Sequence, residues 1–217
     1  MKAWGRQALR LYLVTDSDLS LGRSLAEVVE AAVRGGVSCV QLREKRLDTR
    51  EFVAQARALR ALLAECRIPL VVNDRIDVAL ACGADGVHLG QSDMPVEDAR
   101  RLLPPEVFIG WSVETPQDVL RARALPVDYL GVSPVFATPT KTDTARPWGL
   151  DGLRGVRAAT ALPLVAIGGI HAGNARQVLE HGADGLAVVS AICSAPSPRE
   201  AATELARVCE AHLSLKP

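Results

Sequence analysis

Short runs of apolar, β-favouring residues alternate along the chain with longer stretches in which apolar positions recur every three or four residues. The short runs are "LYLVTD" from Leu11, "VSCVQLR" from Val37, "PLVVND" from Pro69, "DGVHLG" from Asp85, "VFIGWSV" from Val107, "DYLGVSPVF" from Asp128, "PLVAIGG" from Pro163 and "DGLAVVSAI" from Asp184. The stretches between them, such as "SLAEVVEAAVRGG" from Ser24 and "DTREFVAQARALRALLAECR" from Asp48, carry the helical period. Eight strand-then-helix units in 217 residues predict parallel strands joined by helical crossovers: an α/β protein, a single-domain (β/α)8 TIM barrel spanning residues 1–217. A further helix is expected from Ser197. An open doubly wound sheet is the alternative, disfavoured because no G-x-G-x-x-G follows the first strand.

Glycine punctuates the pattern. "GADG" occurs at Gly83 and again at Gly182, each time between a helical stretch and the next strand. That placement suits a left-handed residue at a helix end, and it puts Asp85 and Asp184 at strand starts, on the face of the barrel devoted to stability.

Charge and composition narrow the class. Lys plus Arg equals Asp plus Glu at 25 each, so no global field draws the chain to nucleic acid or to a membrane surface, and any anion must be gripped locally. Aromatic residues make up only 4%, which argues against base-stacking platforms. The first residues, "MKAWGRQALRLYLVTD", hold no long uncharged apolar run, and a cytoplasmic, soluble protein is expected. Cys39, Cys66, Cys82, Cys193 and Cys209 are scattered, with no C-x-x-C pair, and read as small buried hydrophobes in a reducing compartment.

In a barrel of this kind the chemistry gathers where strands end. Those positions are polar in this chain: Thr15 and Asp16; Gln41, Arg43, Glu44 and Lys45; Asn73 and Asp74; Gln91 and Asp93; Ser112; Thr138, Thr140 and Lys141; Gly168 and Gly169; Ser190. In "QLREK", Gln41, Arg43 and Lys45 alternate, so if the strand persists all three point to one side, an arrangement suited to a polyanion; a solvated charge run is the bland reading. Asp74 and Asp93 place carboxylates on two adjacent strand ends, enough with phosphate oxygens and water to hold Mg²⁺, although an Asp after a strand is as often a helix cap. Gly168 and Gly169, with Val189 and Ser190 at the next strand end, suit a small phosphate at the usual barrel position; a tight turn that needs glycine for geometry alone is the other reading.

The motifs "YLVTD", "QLREK", "VND", "DGVHLGQ.D", "IG.S", "VFATPTKTD", "AIGGI" and "VVSAI", in register from Leu11 to about Ala195, resemble the thiamine phosphate synthase family. The resemblance implies a transferase of thiamine biosynthesis. It would join 4-amino-2-methyl-5-hydroxymethylpyrimidine diphosphate to a thiazole phosphate with release of pyrophosphate, by a dissociative substitution. Its partners are then these two small molecules, with no nucleic acid and no membrane; a homo-oligomer stays open. Carried over residue by residue, Gln41, Arg43, Lys45 and Asn73 would hold the pyrimidine diphosphate with Ser112 and Lys141. Asp74 and Asp93 would hold Mg²⁺, and Thr138, Pro139, Thr140, Gly169, Val189 and Ser190 the thiazole phosphate. Arg43, Lys45, Ser112 and Lys141 would carry catalysis as fixed electrostatics on the leaving group.

Three residues stand apart from that pattern. Trp148 is bulkier than the family's usual aliphatic residue and either caps the site when the loop from Thr142 to Gly149 closes or packs on the rim. His88 is either an interior-facing ligand contact or a hydrogen-bonded structural histidine, the second being favoured, and Trp111 reads as core against the helices. The related thiazole tautomerases would need a histidine on the sixth strand, where "VSPVF" has none. A barrel that only senses a phosphorylated metabolite could dispense with the aspartate pair and Lys141, and a phosphosugar isomerase would need an acid and base pair not seen at the strand ends.

Overall fold

A computed structural model describes residues 5–138 and 146–213. Eight parallel strands, β1 (Leu11–Val14), β2 (Cys39–Leu42), β3 (Leu70–Asn73), β4 (Gly86–Leu89), β5 (Phe108–Val113), β6 (Tyr129–Val132), β7 (Leu164–Ile167) and β8 (Gly185–Val188), close in chain order, with β8 returning to β1. The helices between them are α1 (Leu25–Arg34), α2 (Thr49–Cys66), α3 (Ile76–Cys82), α4 (Val96–Leu102), α5 (Pro116–Ala122), α6 (Gly149–Ala159), α7 (Ala172–Glu180) and α8 (Ser190–Cys193); the expected closing helix is α9 (Pro198–Leu213). Helix starts follow the sequence. Ser24 and Glu27 form a capping box on α1, and Thr115 and Asp118 form another on α5, where Pro116 occupies the first turn.

The sixth and eighth strands fall furthest short of their expected runs. The sixth run was expected to continue to Phe136 but stops at Val132, ahead of Pro134, which has no N–H for the ladder. The eighth stops at Val188, and Ser190 already begins α8, so "VVSAI" is the hinge from strand to helix.

Strand alternation sorts the residues into two cores. Val40, Leu42, Val72, Val87, Ile109, Trp111 and Leu130 point outward into the layer beneath the helices, where Trp111 lies under the Arg121 guanidinium at 5.6 Å. Tyr12, Cys39, Val71, Phe108, Tyr129, Val165 and Ala187 point inward and fill the barrel. Space inside is tight: a Cβ at Gly110 would sit 2.0 Å from the Tyr129 ring, and one at Gly86 would sit 2.5 Å from the Phe108 ring. Large side chains on one strand are thus accommodated by glycine on its neighbour.

The entry to each even-numbered strand carries one repeated device. The residue just before the strand donates its N–H to the carbonyl of the residue that opens, or nearly opens, the preceding odd strand, and its side chain accepts the N–H of that same residue. Ser38 does this with Leu11 (2.9 and 3.0 Å), Asp85 with Leu70 (2.9 and 2.9 Å), Asp128 with Ile109 (2.8 and 2.7 Å) and Asp184 with Leu164 (2.8 and 2.9 Å). The helices that precede the odd strands reinforce two of these clasps, Arg60 of α2 pairing with Asp85 and Arg157 of α6 with Asp184. The "GADG" repeat therefore has a structural role: Gly83 closes α3 in the left-handed conformation, and Asp85 and Asp184 fasten the stable face.

The cysteines divide. Cys39, Cys193 and Cys209 are buried, and burial pushes the thiols of Cys193 and Cys209 up to about 11, but Cys66 is exposed and so departs from the expectation that all are core.

A contrast between two glycines tests the packing. Gly110→Ala is expected to lose about 1–3 kcal/mol to overpacking against Tyr129. Gly155→Ala, on the exposed face of α6 with open space around it, should gain about 0.5–1 kcal/mol from helix propensity. Urea unfolding of both variants checks the pair.

Candidate active site

All strands deliver their C-terminal ends to one face, and a cavity of about 620 Å³ opens there. Its floor is a chain of buried polar groups. Gln41, only 5% exposed, donates from Nε2 to the Tyr12 hydroxyl (3.1 Å), which meets the Tyr129 hydroxyl at 3.0 Å. Tyr129 in turn lies 2.8 Å from His88 Nδ1, and His88 Nε2 lies 2.9 Å from Ser112 Oγ. Burial, reinforced for Tyr12 by the neighbouring ring's charge, holds both tyrosine hydroxyls well above their ordinary range, so they stay protonated and act as donors. His88 is hydrogen-bonded, as the favoured reading has it, and it also lines the cavity, so the two readings of this residue are not exclusive.

One wall is cationic and acidic. β2 ends at Leu42 because the next N–H, that of Arg43, goes to the buried Thr15 Oγ1 (3.1 Å) and leaves the ladder. The alternation of "QLREK" therefore does not persist as a strand, yet Gln41, Arg43 and Lys45 all line the cavity. Asp16 caps the short turn Ser17–Leu19 with Oδ1 and holds the Arg43 guanidinium with Oδ2 (3.4 Å). Thr15, Asp16 and Glu44 stand behind the wall, Glu44 bracing the loop through the N–H groups of Lys45 (2.7 Å) and Arg46 (2.8 Å).

Lys45 Nζ is hydrogen-bonded to Asp74. Neither Asp74 nor Asp93 is a helix cap: Arg75 takes that position before α3 and Pro95 before α4. Asp74 instead adopts a left-handed backbone (φ 62°), a conformation that non-glycine residues adopt mainly where the surroundings impose it. Asp93 accepts the Gly90 N–H (2.6 Å) and leans on Asp74. Burial first, then the hydrogen bond and charge of Asp74, push the Asp93 carboxyl above its ordinary range, with the Gly90 N–H and Lys45 opposing. Two crowded carboxylates beside a cation-lined cavity are a donor set suited to Mg²⁺ bound largely by phosphate oxygens and water; among the described residues no third His, Cys, Asp or Glu joins them. Asn73, the last residue of β3 and in register with His88, lines the cavity, and Gln91 donates to the Ser112 carbonyl (2.6 Å).

The facing wall is backbone. Gly168 (φ 105°) and Gly169 (φ 65°) pass so close to the loop after β6 that a Cβ on either would lie under 3.0 Å from Pro134, or from Phe136 and Ala137. Both glycines, with Val189 and Ser190 at the start of α8 and Thr138 from the sixth loop, line the cavity. Pro139, Thr140 and Lys141 lie outside the described residues. Trp148 donates its indole N–H to the Val113 carbonyl (3.4 Å) and packs against the outer core, off the cavity lining. Reasoning from sequence missed Glu114 and His171, which line the cavity immediately after β5 and after the "AIGGI" turn. Both occupy strand-end positions, so the signal was present.

The profile of the thiamine monophosphate synthase family matches residues 11–192. The chain belongs to that family. It is 73% identical over 205 residues to the thiamine-phosphate synthase of Albidiferax ferrireducens, covering 94% of each chain. It is 51% identical over 198 residues to that of Vibrio campbellii, covering 91% of this chain and 97% of that one. Among solved structures, thiamine phosphate pyrophosphorylase from Pyrococcus furiosus superposes with a TM-score of 0.89 at 42% identity, over 96% of this chain and 98% of that one. The protein is an enzyme of thiamine biosynthesis, a transferase on a TIM barrel. No described helix is long and apolar enough to cross a membrane.

The crowded carboxylates have a measurable cost. The folded protein binds the Asp93 proton more readily than the unfolded chain does, so this group's contribution to stability falls as pH rises from the ordinary carboxylate range through the raised value. Asp93→Asn, whose amide oxygen can still accept the Gly90 N–H, is expected to melt above the parent at neutral pH without divalent metal. The gap should close as the buffer is taken below the ordinary carboxylate range, as read by scanning calorimetry.

Proposed function

We propose that the cavity joins 4-amino-2-methyl-5-hydroxymethylpyrimidine diphosphate to 4-methyl-5-(2-phosphoethyl)thiazole, giving thiamine phosphate and pyrophosphate. The observation that carries this reading is the convergence of two unlike anion grips on one cavity: Arg43, Lys45, Asp74 and Asp93 on one wall, and Gly168, Gly169, Val189 and Ser190 on the other. A diphosphate needs cations and a metal-competent carboxylate pair; a monophosphate needs close backbone donors.

In this reading Gln41 and Asn73 orient the pyrimidine over the tyrosine floor, with Ser112 beside it. Arg43 and Lys45 face the diphosphate. As the bond from the pyrimidine methylene carbon to the diphosphate oxygen breaks, its electron pair leaves with pyrophosphate. Positive charge spreads from the methylene carbon into the ring, and the lone pair of the thiazole nitrogen then forms the new carbon–nitrogen bond. Arg43 and Lys45 stabilise the charge gathering on the leaving oxygens without moving, because Asp16 and Asp74 already hold their head groups. Asp74 and Asp93 would hold Mg²⁺, which when bound neutralises diphosphate charge. Thr138, Gly169, Val189 and Ser190 seat the thiazole phosphate together with Pro139 and Thr140, and the family resemblance assigns Lys141 to the diphosphate. The chemistry needs no general base, in keeping with a floor whose tyrosines stay protonated.

Mixing the purified protein with both substrates and Mg²⁺ should release thiamine phosphate and pyrophosphate in equal amounts, followed by chromatography, and chelator should stop both. Asp74→Asn is expected to lower kcat by about 10²-fold or more. Binding of thiazole phosphate with no product under any metal condition would overturn the assignment.

A further inference from the structure

The loop between β1 and α1 does not line the cavity beyond Val14, yet it is fastened to both of its walls. At its near end Asp16 holds Arg43 (3.4 Å). At its far end Arg23, half-buried, donates through Nε to Ser20 O (3.0 Å), through Nη1 to Pro196 O (3.2 Å), and through Nη2 to Cys193 O and Ala195 O (both 2.9 Å). All four bonds end on main-chain carbonyls, and three of those carbonyls belong to the last residue of α8 and the turn behind it. Ser194 Oγ adds a bond back to Leu19 O (3.2 Å).

α8 has only four residues, about 6 Å of helix, too short to hold its direction by internal bonds. Its C-terminal carbonyls lack helical partners, and a guanidinium there supplies both donors and a positive charge at the negative end of the turn. Whatever fixes that end fixes the other, where Val189 and Ser190 face the cavity.

We infer that Arg23 is a positioning residue for the thiazole phosphate: it touches no substrate and sets the phosphate seat from behind by clamping α8 to the loop after β1. The inference rests on the proposed reading that Val189 and Ser190 seat that phosphate. The separate Asp16 anchor leaves the diphosphate wall supported when Arg23 is lost, so the effect falls on one substrate.

Steady-state kinetics of Arg23→Ala, Arg23→Lys and Ser190→Asp, with each substrate varied in turn, test it. Ser190→Asp places a negative charge in the seat itself and reports on the underlying reading. Arg23→Ala is expected to raise KM for the thiazole phosphate about tenfold, leaving KM for the pyrimidine diphosphate and kcat at saturation within about twofold. Arg23→Lys, which keeps the charge but cannot reach all four carbonyls, should fall between parent and Ala. If Ser190→Asp raises the thiazole phosphate KM but Arg23→Ala leaves both KM values unchanged, or raises them together, Arg23 is a structural tie and the inference fails alone. If Ser190→Asp leaves that KM unchanged, the phosphate seat is misplaced and both readings fall. Should Arg23→Ala not fold by circular dichroism, Arg23→Lys carries the test: a selective rise for the thiazole phosphate sustains the inference, and an equal or absent shift overturns it.

Discussion

Tyr12 and Tyr129 bring their hydroxyls together at 3.0 Å inside a closed barrel, where a polar group left unpaired would cost about 1–3 kcal/mol. Much of the interior follows from satisfying that pair. Room for the Tyr129 ring requires glycine at 110, and His88 in turn sits against a glycine at 131. The remaining hydrogen-bonding capacity of the two hydroxyls is taken by Gln41 and His88, and His88 extends the chain to Ser112. The floor of the cavity is thereby polar, rigid and protonated before any substrate arrives. Pre-organisation of this kind lets charged side chains above it act as fixed electrostatics.

The same economy governs the charged wall. Arg43 and Lys45 are each paired with a carboxylate, Asp16 and Asp74, so neither has to be ordered by the substrate. Asp93 is the strained member, its carboxyl raised by burial and by its neighbour. The proposed cation would relieve a repulsion that the fold maintains in its absence, which would tie metal affinity to stability.

The barrel was legible because short apolar runs alternate eight times with stretches of helical period, with glycine at Gly83 and Gly182 marking two of the boundaries, and the strand-end polar residues were legible because they interrupt apolar runs. What did not follow from pattern has physical causes. Strand ends were overrun at Phe136 and Ile192, since apolar composition continues after hydrogen bonding has stopped at Pro134 and at the start of α8. The tyrosine floor was invisible because both faces of a barrel strand are buried, so alternation of apolar residues does not say which face looks inward. Glu114 and His171 were passed over although they hold the same kind of position as Asn73 and Gln91. Arg23 carries no motif at all: its role lies in carbonyls 170 or more positions away in the chain.

The clasps at Ser38, Asp85, Asp128 and Asp184 bind strands in pairs, one with two, three with four, five with six, seven with eight. Between pairs the residues that precede the odd strands are Arg10, Pro69, Val107 and Pro163, none with a short acceptor side chain to repeat the device. The barrel is therefore four cassettes, and the clean joints for recombination run between β2 and α2, β4 and α4, and β6 and α6, where a crossover would part no clasp from its partner and would leave Arg60 with Asp85 and Arg157 with Asp184. Those joints are the loops of the catalytic face. Shuffling among relatives would join new halves of the loops after β2, β4 and β6 and keep the loops after β1, β3, β5 and β7 whole, while the fastening on the opposite face travels intact.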